Sequence, residues 1–206
     1  MRKLKDILID KQVDLPIAEQ KKILRKILLL ERENLQAKSE DANWGPRQFF
    51  RALELLKISE KDLRDQISTK KIFLASFFPI KSELNISRFA AKEWLFPFSD
   101  DNNQLLWFEY GDGNKDYSVN KYGIKEKSKE HCFEYNSSMP PMICFLPGLA
   151  AAKDGYRLGY GKGYYDRFIR MNSEKITTIF CLPTENFLFD YLPHDNNDEK
   201  VDLIVW

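Results

Sequence analysis

The stretch PGLAAAKDGYRLGYGKGYYDRF, residues 147–168, is the strongest indication of the fold class, because a glycine-rich loop in it joins a strand pattern to a helix pattern. The preceding run PMICFL, residues 141–146, is apolar throughout and predicts a buried strand. Residues 163–171, which follow the loop, have the pattern of a helix. A helix that begins after a glycine loop attracts anions through its free N–H groups and its macrodipole, so the stretch predicts an anion site in an α/β protein.

The loop alternates glycines with a tyrosine and a lysine, in the order Gly159, Tyr160, Gly161, Lys162, Gly163. Glycine has no side chain to block a ligand and adopts positive φ, so successive N–H groups can converge on phosphate oxygens. Three glycines alone are more typical of a tight surface turn than of a ligand site, because short glycine patterns often match by chance. The charged and aromatic residues around them favour a phosphate site: Arg157, Lys162, Tyr164, Tyr165 and Asp166.

Two common phosphate-binding motifs are excluded by the same residues. A Walker loop needs a serine or threonine after its Gly-Lys pair, whereas Gly163 follows Lys162. The dinucleotide-binding fingerprint needs its third glycine one residue beyond Gly163. The loop therefore belongs to a different class of phosphate site.

The string G-x-R-L-G-x-G-x-G-Y-Y-D at residues 155–166, preceded by Pro147-Gly148, resembles the signature of the 5-formyltetrahydrofolate cyclo-ligase (methenyltetrahydrofolate synthetase) family. The resemblance implies ATP- and magnesium-dependent cyclisation of 5-formyltetrahydrofolate to 5,10-methenyltetrahydrofolate, with release of ADP and phosphate. It also implies one three-layer α/β domain over residues 1–206, with a mostly parallel sheet similar to that of sugar-isomerase and CoA-transferase proteins. Alternating strand and helix signals independently favour the α/β class.

The resemblance assigns roles to residues of this chain. The predicted ATP-binding residues are Lys21, Arg25, Arg157, Leu158, Gly159, Tyr160, Gly161, Lys162, Gly163, Tyr164 and Tyr165. The predicted folate-binding residues are Phe78, Glu83, Tyr160, Gly161, Lys162, Gly163 and Tyr164. The predicted catalytic residues are Lys162, Arg157 and Tyr164, and the predicted Mg²⁺ ligands are Asp166 and Asp202.

The other predicted elements surround this loop. Residues 15–35 predict a helix with Asp14 as its cap, and Lys21 and Arg25 lie four residues apart on its basic face. A solvated charged face is the alternative interpretation of that pair. Further helices are predicted over 46–58 and 86–94, and further strands over 71–78, 94–97, 105–110 and 201–205.

Composition limits the class of protein. The 206 residues carry 32 basic and 31 acidic side chains, a net charge of +1, which gives no general attraction to nucleic acid or anionic lipid. Three widely spaced cysteines and two histidines form no metal-binding pattern. We expect a cytoplasmic monomer whose partners are 5-formyltetrahydrofolate and ATP, without nucleic acid or membrane.

Two departures from the family pattern leave an alternative open. Ala151-Ala152 stands where the family has Phe-Asp, and Asn197 occupies the place of a histidine near the last aspartate. These changes are compatible with a paralogue that binds nucleotide or folate without turnover. An RNA-binding protein that uses the loop's tyrosines and lysine is a third reading, which the neutral net charge disfavours.

Overall fold

A computed structural model describes residues 15–38, 45–102, 104–112 and 117–206, and the predicted cap Asp14 lies outside them. Its central sheet has six strands in the order β11-β9-β6-β1-β2-β3, parallel except for the antiparallel β2–β3 pair at one edge. In chain order these strands are β1 (Phe73–Ala75), β2 (Leu95–Ser99), β3 (Leu105–Glu109), β6 (Met142–Leu146), β9 (Ile176–Cys181) and β11 (Leu203–Val205). The mixed α/β class with a mostly parallel sheet is as predicted.

Strand β6 lies at the centre and all five of its residues are buried. Parallel sheets are covered on both faces, so their strands are apolar throughout instead of alternating with polar residues. Cys144 packs in one hydrophobic cluster and Phe145 in the other, on opposite faces of the sheet. This is the physical reason why the apolar run 141–146 predicts the position of β6 correctly.

Helices cover both faces of the sheet. They are α1 (Ile17–Lys38), α2 (Pro46–Leu56), α3 (Glu60–Ser68) and α4 (Tyr164–Asn172). Apolar side chains of α1 and α4 belong to one core cluster, and those of α2 and α3 belong to the other. Each sheet face therefore has its own pair of helices, which gives the three layers that the sequence predicts.

The helix predicted over residues 86–94 is wrong. Only a short 3₁₀ helix forms there, at Ile86–Phe89. The backbone becomes extended at Ala90, with φ −57° and ψ 124°, because the chain has to enter β2 at Leu95 only a few residues later. The sequence analysis also missed α3 and β9, which are elements without chemistry of their own.

Two small sheets flank the central one. The first has the order β10-β7-β8, formed by β7 (Ala150–Ala152), β8 (Arg157–Leu158) and β10 (Leu188–Phe189). The second is an antiparallel pair of β4 (Ser118–Val119) and β5 (Lys125–Glu126). Within the described ranges, none of the helices is both long and apolar enough to cross a bilayer.

Candidate functional site

A cavity of about 370 Å³ lies beyond the carboxyl ends of the adjacent parallel strands β1 and β6. Open α/β sheets place their ligands at such an edge. The glycine loop forms one wall, the segment after β1 forms another, and the β4–β5 hairpin closes a third side. The polar and charged residues that line the cavity are Lys81, Glu83, Ser99, Asn120, Tyr122, Glu126, Arg157, Tyr160, Lys162, Tyr164, Tyr165 and Asp166.

The glycine loop leaves open space on the cavity side. A Cβ atom built on Gly159 meets nothing within 4 Å, so the protein's own packing does not require a glycine there. Gly161 differs, because its φ of +97° is strained for other residues and its Cβ position lies 3.0 Å from Cζ of Arg25. Gly159 is thus a bare backbone position that borders the cavity, as close approach by a polyphosphate requires.

Gly163 starts helix α4. Its φ of +68° is in the left-handed region, and it is the residue that caps the helix N-terminus. The first helical residues, Tyr164, Tyr165 and Asp166, also line the cavity. The predicted loop-to-helix transition is therefore present, and the N-terminal end of α4 borders the cavity.

Arg157 and Lys162 supply positive charge to the same cavity. The side chain of Arg157 is only 3% exposed, and Nη1 lies 3.1 Å from Oδ1 of Asp166. Its Nε is buried and has no hydrogen-bond partner among the described residues. Lys162 is exposed, so one cation of the loop is rigid and the other is free to follow a ligand.

Asp166 has the chemistry of a Mg²⁺ ligand at this wall. Its Oδ1 accepts hydrogen bonds from Arg157 and from the backbone N–H of Glu199. The described residues bring no three acidic, histidine or cysteine side chains together as a metal cage. Mg²⁺ commonly binds one or two carboxylates and completes its shell with water and substrate phosphates, so a single carboxylate fits if ATP supplies the other oxygens.

Asp202 is not brought together with Asp166 at the cavity. It lines a separate depression, and its Oδ2 accepts hydrogen bonds of 2.7 Å from both the backbone N–H and the hydroxyl of Thr178. The Thr178 hydroxyl in turn accepts a hydrogen bond from the Asp202 N–H. These contacts join β9 to the start of β11 through one carboxylate oxygen, and they place the predicted metal ligand Asp202 outside the cavity that Asp166 lines.

The two basic residues predicted on α1 have different surroundings. Lys21 is buried and paired with Asp195 at 2.9 Å and with Asp198, and it does not line the cavity. Burial lowers the pKa of Lys21, but its bonds to the two aspartates outweigh burial and raise the pKa overall. Arg25 donates to the carbonyl of Gly159 at 2.8 Å and so supports the glycine loop from behind.

Phe78 and Glu83 line the wall opposite the glycine loop. The Phe78 ring stacks on Phe96 with centroids 4.2 Å apart, which presents a flat apolar surface beside the cavity. Glu83 is 7% exposed and accepts a 2.9 Å hydrogen bond from the Ile80 N–H. Burial raises the pKa of Glu83 to about 7, against the opposing effects of nearby donors and of Arg32.

Tyr160 joins the two walls. Its hydroxyl lies close enough to Glu83 to affect the carboxyl's titration, yet neither Tyr160 Oη nor Glu83 Oε1 makes a hydrogen bond of normal geometry within the described part of the chain. Burial raises the pKa of Tyr160, so its hydroxyl stays protonated at neutral pH. A donor and an acceptor thus lie near each other beside the cavity without a hydrogen bond of normal geometry.

Leu158, a predicted ATP-binding residue, is buried in β8 and is not among the residues that line the cavity. Ala151 and Ala152 are fully buried in β7, where they pair with Leu188 and Phe189. The departure from the family at these two alanines therefore lies in the core and removes no group from the cavity wall.

Two buried charged residues, Arg32 and Glu126, are not predicted as site residues from the sequence. Arg32 is 1% exposed and follows Leu24 and Leu28 at intervals of four, so a charged residue continues the buried face of α1. That spacing is a sequence signal for an unusual buried cation. Glu126 is buried at the cavity wall, and burial raises its pKa.

The chain is similar to proteins of one known family. The model of the 5-formyltetrahydrofolate cyclo-ligase family matches residues 17–206. The 5-formyltetrahydrofolate cyclo-ligase of Mus musculus is 37% identical over 67 residues, which are 31% of this chain and 33% of that protein. A probable 5-formyltetrahydrofolate cyclo-ligase of Schizosaccharomyces pombe is 30% identical over 98 residues, 43% of this chain and 48% of that one. The chain thus spans between a third and a half of these curated relatives.

Solved structures are similar over most of the chain. The NMR structure of Aquifex aeolicus 5,10-methenyltetrahydrofolate synthetase has a TM-score of 0.63 and 27% identity, covering 90% of this chain and 88% of that one. The 5,10-methenyltetrahydrofolate synthetase of Mycoplasma pneumoniae has a TM-score of 0.58 and 21% identity, covering 90% and 97%, and shows the shared fold. Since the family model covers nearly every described residue, the chain belongs to the 5-formyltetrahydrofolate cyclo-ligase family.

Proposed function

We propose that this protein cyclises 5-formyltetrahydrofolate to 5,10-methenyltetrahydrofolate at the expense of ATP, releasing ADP and phosphate. The observation that carries the proposal is the arrangement of one cavity. A bare glycine loop with two cations forms one wall, and an aromatic ring with a buried carboxyl forms the opposite wall. The first wall suits a polyphosphate and the second suits a flat ring that carries N–H donors.

The reaction needs a poor leaving group to be activated. The N5-formyl oxygen attacks the γ-phosphorus of ATP, the bond to the ADP oxygen breaks, and an imidate phosphate forms. N10 then attacks the formyl carbon, the carbon–oxygen bond breaks to release phosphate, and N10 loses its proton. Side chains form no covalent bond in this sequence, so catalysis rests on alignment and on charge stabilisation.

We assign the charge stabilisation to Arg157, Lys162 and the N–H groups of the glycine loop. Arg157 is fixed by Asp166 and has a buried Nε to spare, which makes it a preorganised donor. Lys162 reaches the transferred phosphoryl group from an exposed position, and Tyr164 lines the same wall. When bound, Mg²⁺ neutralises phosphate charge, and Asp166 is the residue that we propose holds it.

Arg25 contributes by supporting the loop carbonyl of Gly159, and Lys21 contributes only if ATP competes with Asp195 and Asp198. Phe78, Glu83 and Tyr160 are the proposed folate contacts. A carboxylate accepts hydrogen bonds in pairs, which matches the ring N–H and amino groups of a pterin.

The test is absorbance at the methenyl-folate band, with purified protein, 5-formyltetrahydrofolate and Mg²⁺, in the presence and absence of ATP. We expect an ATP-dependent rise in the wild type that Lys162→Ala abolishes and that Lys61→Ala, an exposed lysine on α3, leaves unchanged. A folded protein that binds both ligands without any rise contradicts the proposal and supports a non-catalytic paralogue.

A further inference from the structure

Lys81 is a cation of the cavity wall that the proposed chemistry does not use. Three cationic side chains line the cavity, and two of them, Arg157 and Lys162, belong to the wall of the glycine loop. Lys81 lies on the opposite wall and is exposed. Among the residues that the structure describes, none forms an ion pair with Lys81, so its charge is available to an anionic ligand.

A tight turn holds Lys81 at this wall. The N–H of Glu83 donates to the carbonyl of Ile80 at 3.1 Å, and the N–H of Ile80 donates to the Glu83 carboxyl at 2.9 Å. These two hydrogen bonds close the turn from both ends, with Lys81 as its second residue. The φ of Lys81 is +51°, in the left-handed region, where turns favour glycine, asparagine or aspartate. The backbone that carries the Lys81 side chain is therefore fixed beside the cavity.

Two other lysines, Lys57 and Lys70, have the same left-handed backbone, with φ of 56° and 52°. Lys57 caps the end of α2, and Lys70 pairs with Glu109 at 3.2 Å. Neither of them lines the cavity. A left-handed lysine is thus not by itself a sign of a ligand site in this protein, and its place in the cavity wall is what distinguishes Lys81.

The order of side chains along this wall matches the order of groups in 5-formyltetrahydrofolate. Glu83 is 7% exposed and is the proposed contact of the ring, whereas Lys81 lies at an exposed part of the same wall. One end of the folate is a flat ring with N–H donors, and the other end is a glutamate with two carboxylates. A buried acid suits the ring, and an exposed, flexible and hydrated ammonium group suits the glutamate.

We propose that Lys81 is a specificity-determining residue that binds the glutamate carboxylates of the folate. The inference rests on the proposed function for the identity of the ligand. It assigns Lys81 to the folate and not to ATP, because the glycine loop with Arg157 and Lys162 forms the opposite wall. Ligands with and without the glutamate test this assignment directly.

Three variants isolate the charge of Lys81. Lys81→Asn removes the charge and introduces a residue that tolerates left-handed backbone, and Lys81→Arg retains the charge. Lys57→Asn makes the same change at an exposed, left-handed lysine outside the cavity. Thermal unfolding of each variant checks the fold.

Binding is measured by calorimetry without ATP, for two ligands. The first is 5-formyltetrahydrofolate, and the second is the 5-formyltetrahydropteroyl N-methylamide, in which an uncharged methylamide replaces the glutamate. ATP is titrated separately into the same four proteins. These measurements need no turnover.

We expect Lys81→Asn to weaken binding of 5-formyltetrahydrofolate by about two- to five-fold, as for the loss of one partly exposed ion pair. Added salt reduces this difference, because it screens exposed charges. Lys81→Asn and the wild type bind the methylamide equally. Lys81→Arg and Lys57→Asn stay close to the wild type for both ligands, and all four proteins bind ATP equally.

The inference is overturned if Lys81→Asn weakens binding of the methylamide as much as that of the folate, or if it changes neither. A selective loss of ATP affinity also overturns it and assigns Lys81 to the phosphates instead. A folded wild type that binds neither folate ligand contradicts the inference and the proposed function together. Absence of turnover with the glutamate-dependent difference intact counts only against the proposed function.

Discussion

Residues 157–166, which include the glycine loop, contain residues that the sequence assigns to ATP and Mg²⁺. The C-terminal acidic segment, residues 195–202, contains one predicted Mg²⁺ ligand and two aspartates that pair with a predicted ATP-binding lysine. In the glycine loop, Lys162 and Asp166 line the cavity. In the acidic segment, Asp195 and Asp198 pair with Lys21, and Asp202 bonds Thr178. The two segments thus differ in whether the fold places their charged side chains in the cavity wall, and residue type alone does not indicate this.

The contrast between the two segments predicts that Lys162 is required for activity. We expect Lys162→Ala to lower kcat by about 100- to 1,000-fold, because it removes a positively charged donor at the transferred phosphoryl group. Initial rates at saturating ATP and folate measure this effect. Lys21→Ala serves as the contrasting variant, since Lys21 is already paired with two aspartates, and a larger loss in it than in Lys162→Ala contradicts the assignment.

Gly159 and Gly161 allow a similar comparison within the glycine loop, between a position that faces a ligand and one that the fold constrains. Gly161→Ala should lower the free energy of unfolding by about 1–3 kcal/mol, because its φ of +97° is strained for alanine and its Cβ lies 3.0 Å from Cζ of Arg25. Gly159→Ala should leave stability nearly unchanged but weaken ATP binding, since only a ligand needs that space. Urea unfolding and ATP titration of both variants measure the two effects. Equal ATP affinity in Gly159→Ala and the wild type contradicts close approach at this position.

Asp166 and Asp202 form a matched pair of carboxylates. We expect Asp166→Asn to raise the Mg²⁺ concentration for half-maximal activity by roughly ten-fold, equivalent to about 1.4 kcal/mol. Asp202→Asn should leave that concentration unchanged and lower stability by about 1 kcal/mol, because it disturbs the hydrogen bonds to Thr178. Magnesium titration of activity and thermal unfolding separate the two. A changed magnesium requirement in Asp202→Asn would restore it as a metal ligand.

The smallest effect is expected at Asp198. Asp198→Asn removes one of the two carboxylates that pair with Lys21 and reduces the negative charge near Arg25. If Lys21 and Arg25 take part in ATP binding, KM for ATP falls by about two- to five-fold, as expected for the loss of one partly exposed ion pair. Steady-state kinetics with varied ATP measures this change. Asp195→Asn, at a more exposed partner, gives a smaller fall, and an unchanged KM in both variants indicates that Lys21 is structural.

The sequence alone correctly predicts the α/β class, the central strand β6 and the loop-to-helix transition at Gly163. These features depend on local patterns: an unbroken apolar run that parallel packing buries on both faces, and glycines that tolerate positive φ. The helix predicted over residues 86–94 is wrong, since only a 3₁₀ helix forms at Ile86–Phe89 before the chain enters β2 at Leu95.

The packing of segments that are distant in the sequence determines which charged residues line the same cavity. Asp202 and Asp166 have the same chemistry, but Asp166 lines the cavity, whereas Asp202 bonds Thr178 of β9 at a separate depression. Lys21 and Asp195 are 174 residues apart in the sequence, and the fold brings them together as an ion pair of 2.9 Å. Such pairings arise from contacts between residues that are far apart in the sequence, where burial and nearby charges set the pKa values of side chains. The local spacing of residues does not indicate them.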